Sequence, residues 1–517
     1  MIVERARGAI SLSSTDNETA SPRSPTRFLP FGLVAAAATG LFLQTRSFGL
    51  LGFDSFPLVA ESRIRSFADL LATFTESLMA GYYPVDYYRP LLKLTFAADY
   101  AVWGLEPFGY QLTNVLVYAG CAIAVWALAR RLSGPEAVVA PWLALAVFLL
   151  HPVHYDVVPI PARRSEMLCC AFMALSVWLQ LSPRALRVRF PLWPAAATLA
   201  ALASKETAFV LPAVSFVAVL LYAPGARGRD RFVRAVQAVI PHAVVVLAML
   251  GVRASLGFVG TGGLMLTAGG IRRMFGATAA EPLLTSSAAG RWVLSSIAVV
   301  LLVGFALSLF GWAWRRRGGD GHPSLRAVRP ELVALVWVAA VLLLTYGRSN
   351  PWKFEYLYLI PMAGWALLTG AIVGRTLRFA RAPGVRPRVA AAVMILTMAV
   401  PIVYQARYSP LLFHYGEGEE ATAAARSFLG EARALIDQAA DGSVVPGPHL
   451  PRRVPPRDPL RIFGTMIFLD YSVQAWADLT FPERRIRVIF SPAGRPRELV
   501  AAPDEVVLLL ARKRRGF

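Results

Sequence analysis

The chain has 517 residues, of which 56% are hydrophobic and only 16% charged, with a mean hydropathy of +0.51. Soluble domains are about one-quarter charged, so a soluble globular protein is excluded, and recurring apolar runs of bilayer-spanning length mark a polytopic membrane protein. The formal charge of +21 does not point to nucleic acid, because the arginines fall mostly in short loops between apolar runs and form no phosphate-tracking stripe.

In chain order, residues 1–28 are polar and rich in Ser, Thr and Arg, and read as a disordered cytoplasmic tail. The apolar run that follows is too long for a signal peptide and lacks a cleavage site, so it reads as an uncleaved first span. Length and hydropathy predict about eleven spans. They lie at 29–48, 108–129, 136–150, 165–182, 190–203, 207–223, 233–252, 291–314, 331–346, 355–374 and 388–405. The pair of runs around Lys205-Glu206 is equally readable as a re-entrant hairpin. Cys121, Cys169 and Cys170 lie inside apolar runs with no metal-ligand spacing, and read as packing residues.

Loop charge sets the orientation. Arg130-Arg131, then Arg184, Arg187 and Arg189, then Arg227, Arg229, Arg231 and Arg234 follow the second, fourth and sixth spans. Arg315–Arg317 with Arg326 and Arg329, and the group from Arg375 to Arg388, follow the eighth and tenth. Every even-numbered exit is arginine-rich, as cytoplasmic loops are, which puts the N-terminus inside and the C-terminus outside. The outer face then owns the loop from Leu50 to Pro107, the turn HPVHYDVVPIPARR at 151–164, the Lys205-Glu206 turn, 253–290, 345–354 and everything after about residue 405. Nearly all ionisable residues that are not topology arginines lie in those segments.

Within the first outer loop, Ile64, Phe67, Leu70, Leu71, Phe74 and Leu78 recur at helical spacing and predict an amphipathic helix in the interface plane. A second such helix is predicted from Leu91 to Trp103. Asp54 stands just after the first span, in GFDSFPLVAESRI. It is either an interfacial charge closing a helix or a catalytic base. Residues 406–517 predict a small α/β domain outside the membrane. EGEEATAAARSFLGEARALIDQAADG reads as a helix ending at Gly442, VVPGPHLPRRVPPRDP as a linker, and RIFGTMIFL, RIRVIF and EVVLLLARK as strands, with a helix near Tyr471–Leu479.

Four stretches occur in a familiar order: DYYRPLLKLTFAADYAVWGLEPFGYQLTNVLVY (86–118), FLLHPVHYDVVPIPARRSEML (148–168), SKETAFVLP (204–212) and FEYLYLIPMAGWALL (354–368). Together they resemble the membrane half of the O-mannosyltransferase-like proteins that join membrane spans to tetratricopeptide repeats, and their bacterial relatives, in the GT-C class of glycosyltransferases. The resemblance covers residues 30–405. It implies an integral membrane enzyme with a polyprenyl-phosphate-linked sugar as donor substrate and a catalytic acid in the first outer loop, where Asp54 stands. The family often carries two adjacent acids there, whereas this chain has Asp54-Ser55. No 34-residue periodicity is present in this sequence, so no such repeats are predicted.

Sugar transfer to a hydroxyl needs a base for the acceptor proton and positive charge for the departing phosphate. A single carboxylate suits a direct, inverting displacement. Glu61 and Asp86 compete with Asp54 for the role. Arg89 is either a loop pin, paired with an acid such as Asp86, or a phosphate contact. His151 and His154, with Asp156, lack the further ligand a metal site needs and read as donor or acceptor hydrogen-bonding groups. Arg163 and Arg164 either snorkel from the start of a span or bind donor phosphate. Lys205 and Glu206 form a mutual ion pair at a hairpin tip or take part in the chemistry. Arg348 and Lys353 are further phosphate candidates, and Glu355 is read as pairing with one of them. No cofactor and no divalent metal is assigned. The competing readings are a transporter or flippase, and a non-catalytic scaffold of GT-C fold. Arginine-rich, lysine-poor usage suggests a GC-rich bacterium, hence a plasma membrane with a periplasmic C-terminal domain.

Overall fold

The computed structural model describes residues 28–83, 87–135, 137–224, 228–258, 328–346, 355–381, 409–412, 414–452, 454, 467–491 and 499–511, with single positions between 388 and 406. The predicted spans at 291–314 and, in large part, 388–405 lie outside the described residues. The other nine fall on helices: α1 (Leu29–Thr45), α5 (Pro107–Ser133), α6 (Val139–Leu150), α8 (Arg164–Gln180), α9 (Leu192–Ser204), α10 (Leu211–Tyr222), α11 (Gly228–Ser255), α12 (Arg329–Tyr346) and α13 (Leu359–Ala380). Among the described residues three helices, Pro107–Ser133, Gly228–Ser255 and Tyr356–Arg378, are long and apolar enough to cross a membrane. Shorter apolar helices at Leu29–Thr45, Val139–Leu150, Leu192–Ser204 and Glu206–Tyr222 stand beside them.

These helices share one core, in which Tyr118, Phe148, Met173, Trp337 and Tyr358 are fully enclosed. α13 and α6 pack closely where they cross. A Cβ on Gly370 would collide with the Ala140 carbonyl oxygen, and one on Gly374 would lie 3.0 Å from the Ala140 side chain. A small residue every fourth position lets two helix backbones approach, the usual basis of helix association in lipid.

Among the described residues, parts of the segments predicted inside lie together. Arg131 donates to the Trp178 carbonyl at 2.9 Å, the Tyr222 hydroxyl donates to the Leu132 carbonyl at 2.6 Å, and Arg329 stacks on the Tyr222 ring. The exits of α5, α8 and α10 and the start of α12 are thereby tied together.

The first loop holds three short helices: α2 (Ser55–Glu61), α3 (Phe67–Thr75) and α4 (Pro90–Trp103), and a single-turn helix, α7 (His154–Val157), lies between α6 and α8. α3 is shorter than the amphipathic pattern from Ile64 to Leu78 implies. It starts at a reciprocal cap, in which Ser66 accepts from the Asp69 amide and Asp69 accepts from the Ser66 amide. Phe67, Leu71 and Phe74 on α3 remain exposed, as an interfacial helix requires. α2 was not among the predicted elements.

At the C-terminal end, α14 (Gly416–Gln438) and α15 (Asp470–Thr480) accompany a three-stranded, all-parallel sheet. Its strands are β1 (Val444–Pro446), β2 (Arg485–Ser491) and β3 (Glu505–Ala511), in the order β1-β3-β2. Two predicted strands are β2 and β3. The remaining one is misplaced: β1 comes from the stretch read as a linker, and Ile467–Leu469 are not in a strand. The proline-rich composition hid β1, a three-residue edge strand, where proline is tolerated. This region also does not stand apart. Phe428, Phe468 and Trp476 share a core with Phe56, Leu58, Leu92, Phe96, Tyr110 and Ile160 of the loops.

Candidate active site

Asp54 sits in the tight turn between α1 and α2. Gly52 makes that turn with φ +95°, and a Cβ there would lie 2.5 Å from the Ile160 side chain, so glycine is required. Asp54 holds the position before the first turn of α2, but its carboxylate does not cap the helix. Instead Oδ1 accepts from the Tyr471 hydroxyl at 2.8 Å. Among the described residues, Oδ2 has no hydrogen-bond donor. Tyr471 is fixed in turn by stacking on Tyr83, centroids 5.0 Å apart, and by its neighbour Ser472, which donates to the Phe53 carbonyl at 2.5 Å. Burial, and then the Asp54 carboxylate, raise the Tyr471 pKa, so the phenol keeps its proton and donates.

Around Asp54 the other outer segments converge through Tyr356, which follows α12 and precedes α13. The Tyr356 amide donates to Asp156 Oδ2 at 3.1 Å. The Arg163 guanidinium lies 3.3 Å from the centre of the Tyr356 ring, and Lys205 Nζ lies 5.5 Å from it. Asp54, Arg89, Arg163 and Glu166 are all within electrostatic reach of the Tyr356 hydroxyl. One junction therefore unites the first loop, the 151–164 turn, the break between α9 and α10, and the entry to α13.

The ion pairs differ from expectation. Lys205 and Glu206 do not pair with each other. The chain breaks at Lys205 into a 3-10 turn (Glu206–Val210), so the two side chains leave in different directions. Lys205 pairs with Glu166, in the first turn of α8. Glu206 takes Arg89 in a two-pronged pair, with Nη2 at 2.7 Å and Nε at 3.1 Å. Burial disfavours the charge on Glu206, but Arg89 and then Lys205 more than offset it and hold its pKa down at about 2. For Arg89 too, burial opposes the charge and Glu206 outweighs it, raising the guanidinium's pKa. Arg89 also lies over the Tyr87 ring at 4.5 Å.

Four suspected residues make contacts of their own within the fold. Arg164 is wholly enclosed and saturated: it donates to Asp99 at 2.5 Å, Asn114 at 2.8 Å and Thr95 at 3.1 Å. It joins α8 to α4 and α5 instead of facing a substrate. His154 is fully buried between the rings of Tyr118 and Phe148, with Nε2 at 2.6 Å from the Phe148 carbonyl. Burial lowers its pKa to about 4 and keeps the ring neutral. Hydrogen bonding to a substrate is at odds with that enclosure. His151 is also buried, and its Nδ1 accepts from the Val153 amide. Glu61 accepts from the Gly81 amide at 2.5 Å and so holds the loop. Asp86, Arg348 and Lys353 lie outside the described residues, as does the side chain of Glu355.

Reading the sequence missed Glu166, Asp99, Tyr356 and Tyr471. Glu166, an acid just inside an apolar run, carried a signal. Tyr471 carried none, since 417 residues separate it from Asp54.

No protein-family model matches the chain. Part of it is 35% identical over 100 residues to the protein O-mannosyl-transferase Tmtc3 of Drosophila melanogaster, covering 16% of this chain and 11% of that protein. It is 32% identical over 101 residues to the protein O-mannosyl-transferase TMTC4 of Homo sapiens, covering 17% and 14%. A longer match, 28% identical over 146 residues, is to Tmtc1 of Drosophila melanogaster, covering 28% and 17%. The chain thus spans less than a fifth of the length of these curated relatives. ArnT from Cupriavidus metallidurans in the apo state superposes at TM-score 0.46 with 14% identity over 80% of this chain and 82% of that one. The Archaeoglobus fulgidus oligosaccharyltransferase in the apo form gives 0.42, 14%, 77% and 58%. The class the chain resembles is that of the GT-C membrane glycosyltransferases. Within it, the sequence likeness runs to the protein O-mannosyl-transferases, in agreement with the four motifs.

Proposed function

We propose that the protein is a membrane glycosyltransferase that moves a sugar from a polyprenyl-phosphate-linked donor to an acceptor hydroxyl, with inversion at the anomeric carbon. The observation that carries this reading is the gathering of Arg163 and Lys205 on the Tyr356 ring, with Arg89 paired to Glu206 beside Lys205 and the Asp54 charge acting on the Tyr356 hydroxyl, although these residues come from four separate segments. An apolar bundle gathers such groups only where chemistry or a polar ligand rewards it. The likeness of part of the chain to named transferases supports the same reading.

In the proposed step Asp54 is the general base. Tyr471 holds Oδ1, which leaves Oδ2 to take the proton of the acceptor hydroxyl. The acceptor oxygen attacks the anomeric carbon as the bond from that carbon to the phosphate oxygen breaks, and the electron pair leaves with the lipid phosphate. Arg89, Arg163 and Lys205 supply the positive charge for that phosphate. Glu206 and Glu166 keep two of these cations in place and share them with the incoming anion. By the arginine pattern this end of the bundle is assigned to the outer face, and by arginine-rich, lysine-poor usage the membrane is assigned to a bacterial plasma membrane, so residues 406–517 would be periplasmic and 1–28 cytoplasmic. The acceptor meets the donor beneath α15, and the C-terminal region is assigned a part in acceptor choice.

The test is transfer from a panel of radiolabelled polyprenyl-phosphate sugars by purified wild-type and D54N protein. A non-catalytic scaffold, for which the Tyr471 bond to Asp54 would be simply a domain tether, shows no transfer by either.

A further inference from the structure

A polar concavity lies at the arginine-rich end of the bundle, away from Asp54. It has a volume of about 500 Å³ and is walled by the 185–189 stretch, by α10 and by the first turns of α11. Four guanidiniums line it, Arg187, Arg189, Arg229 and Arg234, against the single carboxylate of Asp230, with the Gln237 amide as a neutral donor. Its floor is apolar, with Val219 and Ala238 buried. A space of this size, with excess positive charge at the rim and an apolar floor, suits an anionic headgroup.

From the cavity an apolar stripe runs up α11. Val233, Val236, Ile240, Val244 and Leu247 recur at three- and four-residue spacing, which places them on one helix face, and all are exposed. Of the three helices able to cross a membrane, α11 is the least enclosed, with 28% of its apolar window buried against 50% and 83%. Val233 belongs to both features. Arginines serving only as topology markers need neither a cavity nor a continuous apolar track leading from it.

We propose that this cavity holds the phosphate headgroup of an anionic phospholipid, its acyl chains lying along the exposed face of α11. The arginine-rich end is the cytoplasmic one by loop charge, so the lipid belongs to the leaflet opposite the Asp54 site. The proposal does not depend on Asp54 being a base.

The experiment uses the full chain in a neutral detergent. Its thermal midpoint and its retained lipid, the latter by native mass spectrometry, are read during titration with phosphatidylglycerol, with phosphatidylcholine of the same chains, and with inorganic phosphate. Phosphatidylglycerol is expected to be retained and to raise the midpoint, while the other two do neither. The R187Q/R234Q variant is expected to bind phosphatidylglycerol roughly twenty-five-fold more weakly, about fivefold per arginine lost. R189Q/R229Q gives the same reading on the other two guanidiniums if the first variant does not purify. Equal binding of phosphatidylcholine, an equal shift with phosphate alone, or undiminished binding by both variants would overturn the proposal.

Discussion

Replacing Arg164 with methionine separates a structural cation from a substrate-binding one. The side chain is 0% exposed and that of its partner Asp99 is 6% exposed. Besides Asp99, its guanidinium reaches Asn114, Thr95 and the Tyr110 carbonyl. Methionine keeps much of the volume but strands the Asp99 carboxylate, whose remaining donor is the Thr113 hydroxyl at 2.6 Å. Breaking a buried pair from one side costs about 3–5 kcal/mol. Adding D99N removes the stranded charge, so R164M/D99N should recover about half of that loss. The assay is equilibrium unfolding in detergent for the two single variants and the double, closed as a cycle, alongside transfer kinetics per folded molecule. We expect low stability, near-normal KM for the donor, and favourable coupling between the two changes. If R164M loses less than ~1 kcal/mol and instead raises the donor KM tenfold, Arg164 is a ligand of the substrate and its role as a core pin is refuted.

Tyr471→Phe removes one hydroxyl–carboxylate bond while keeping the ring stacked on Tyr83. A hydrogen bond to a charged group contributes about 1.5–3 kcal/mol to stability, so the melting midpoint is expected to fall, and kcat per folded molecule is expected to fall with it while the donor KM stays unchanged; an unaltered kcat per folded molecule would remove Tyr471 from the site. The Arg89–Glu206 pair makes stability depend on pH. The folded pKa of Glu206, about 2, lies below its ordinary 4.5, so its contribution is complete above pH 4.5 and is lost as pH falls towards 2. E206Q should therefore melt below the wild type at pH 7, with the gap narrowing as pH falls below 4.5 and closing only towards pH 2; a gap independent of pH would show that the charge is not what stabilises.

Much of the fold was legible because bilayer thickness imposes a long-range order on hydropathy. Nine apolar runs coincide with helices, and the exits of α5, α8 and α10 lie together. The place of Asp54 was legible for a similar reason, since an acid at a span's exit is conspicuous. Partner choice was not legible. Lys205 and Glu206 are adjacent, and adjacency suggested a pair; the backbone turn at Lys205 sends them to Glu166 and Arg89 instead. Arg163 and Arg164 look alike in sequence, yet the helix start between them turns one onto Tyr356 and the other into the core. His154 has the composition of a ligand and the surroundings of a core residue. α2, β1 and the Tyr471 contact depend on packing between segments hundreds of residues apart, which no local periodicity encodes.

Everything proposed for catalysis turns on whether a carboxylate at the edge of the bundle takes the acceptor's proton. Single-turnover transfer from a labelled polyprenyl-phosphate sugar decides it, comparing wild type with D54N at matched membrane abundance and matched melting midpoint. Donor should be bound by both proteins and product formed by the wild type alone, with the D54N rate at least a thousandfold lower, towards the upper end of general-base effects of about 10²–10⁴. Product formation by D54N at the wild-type rate would contradict a general base at this position.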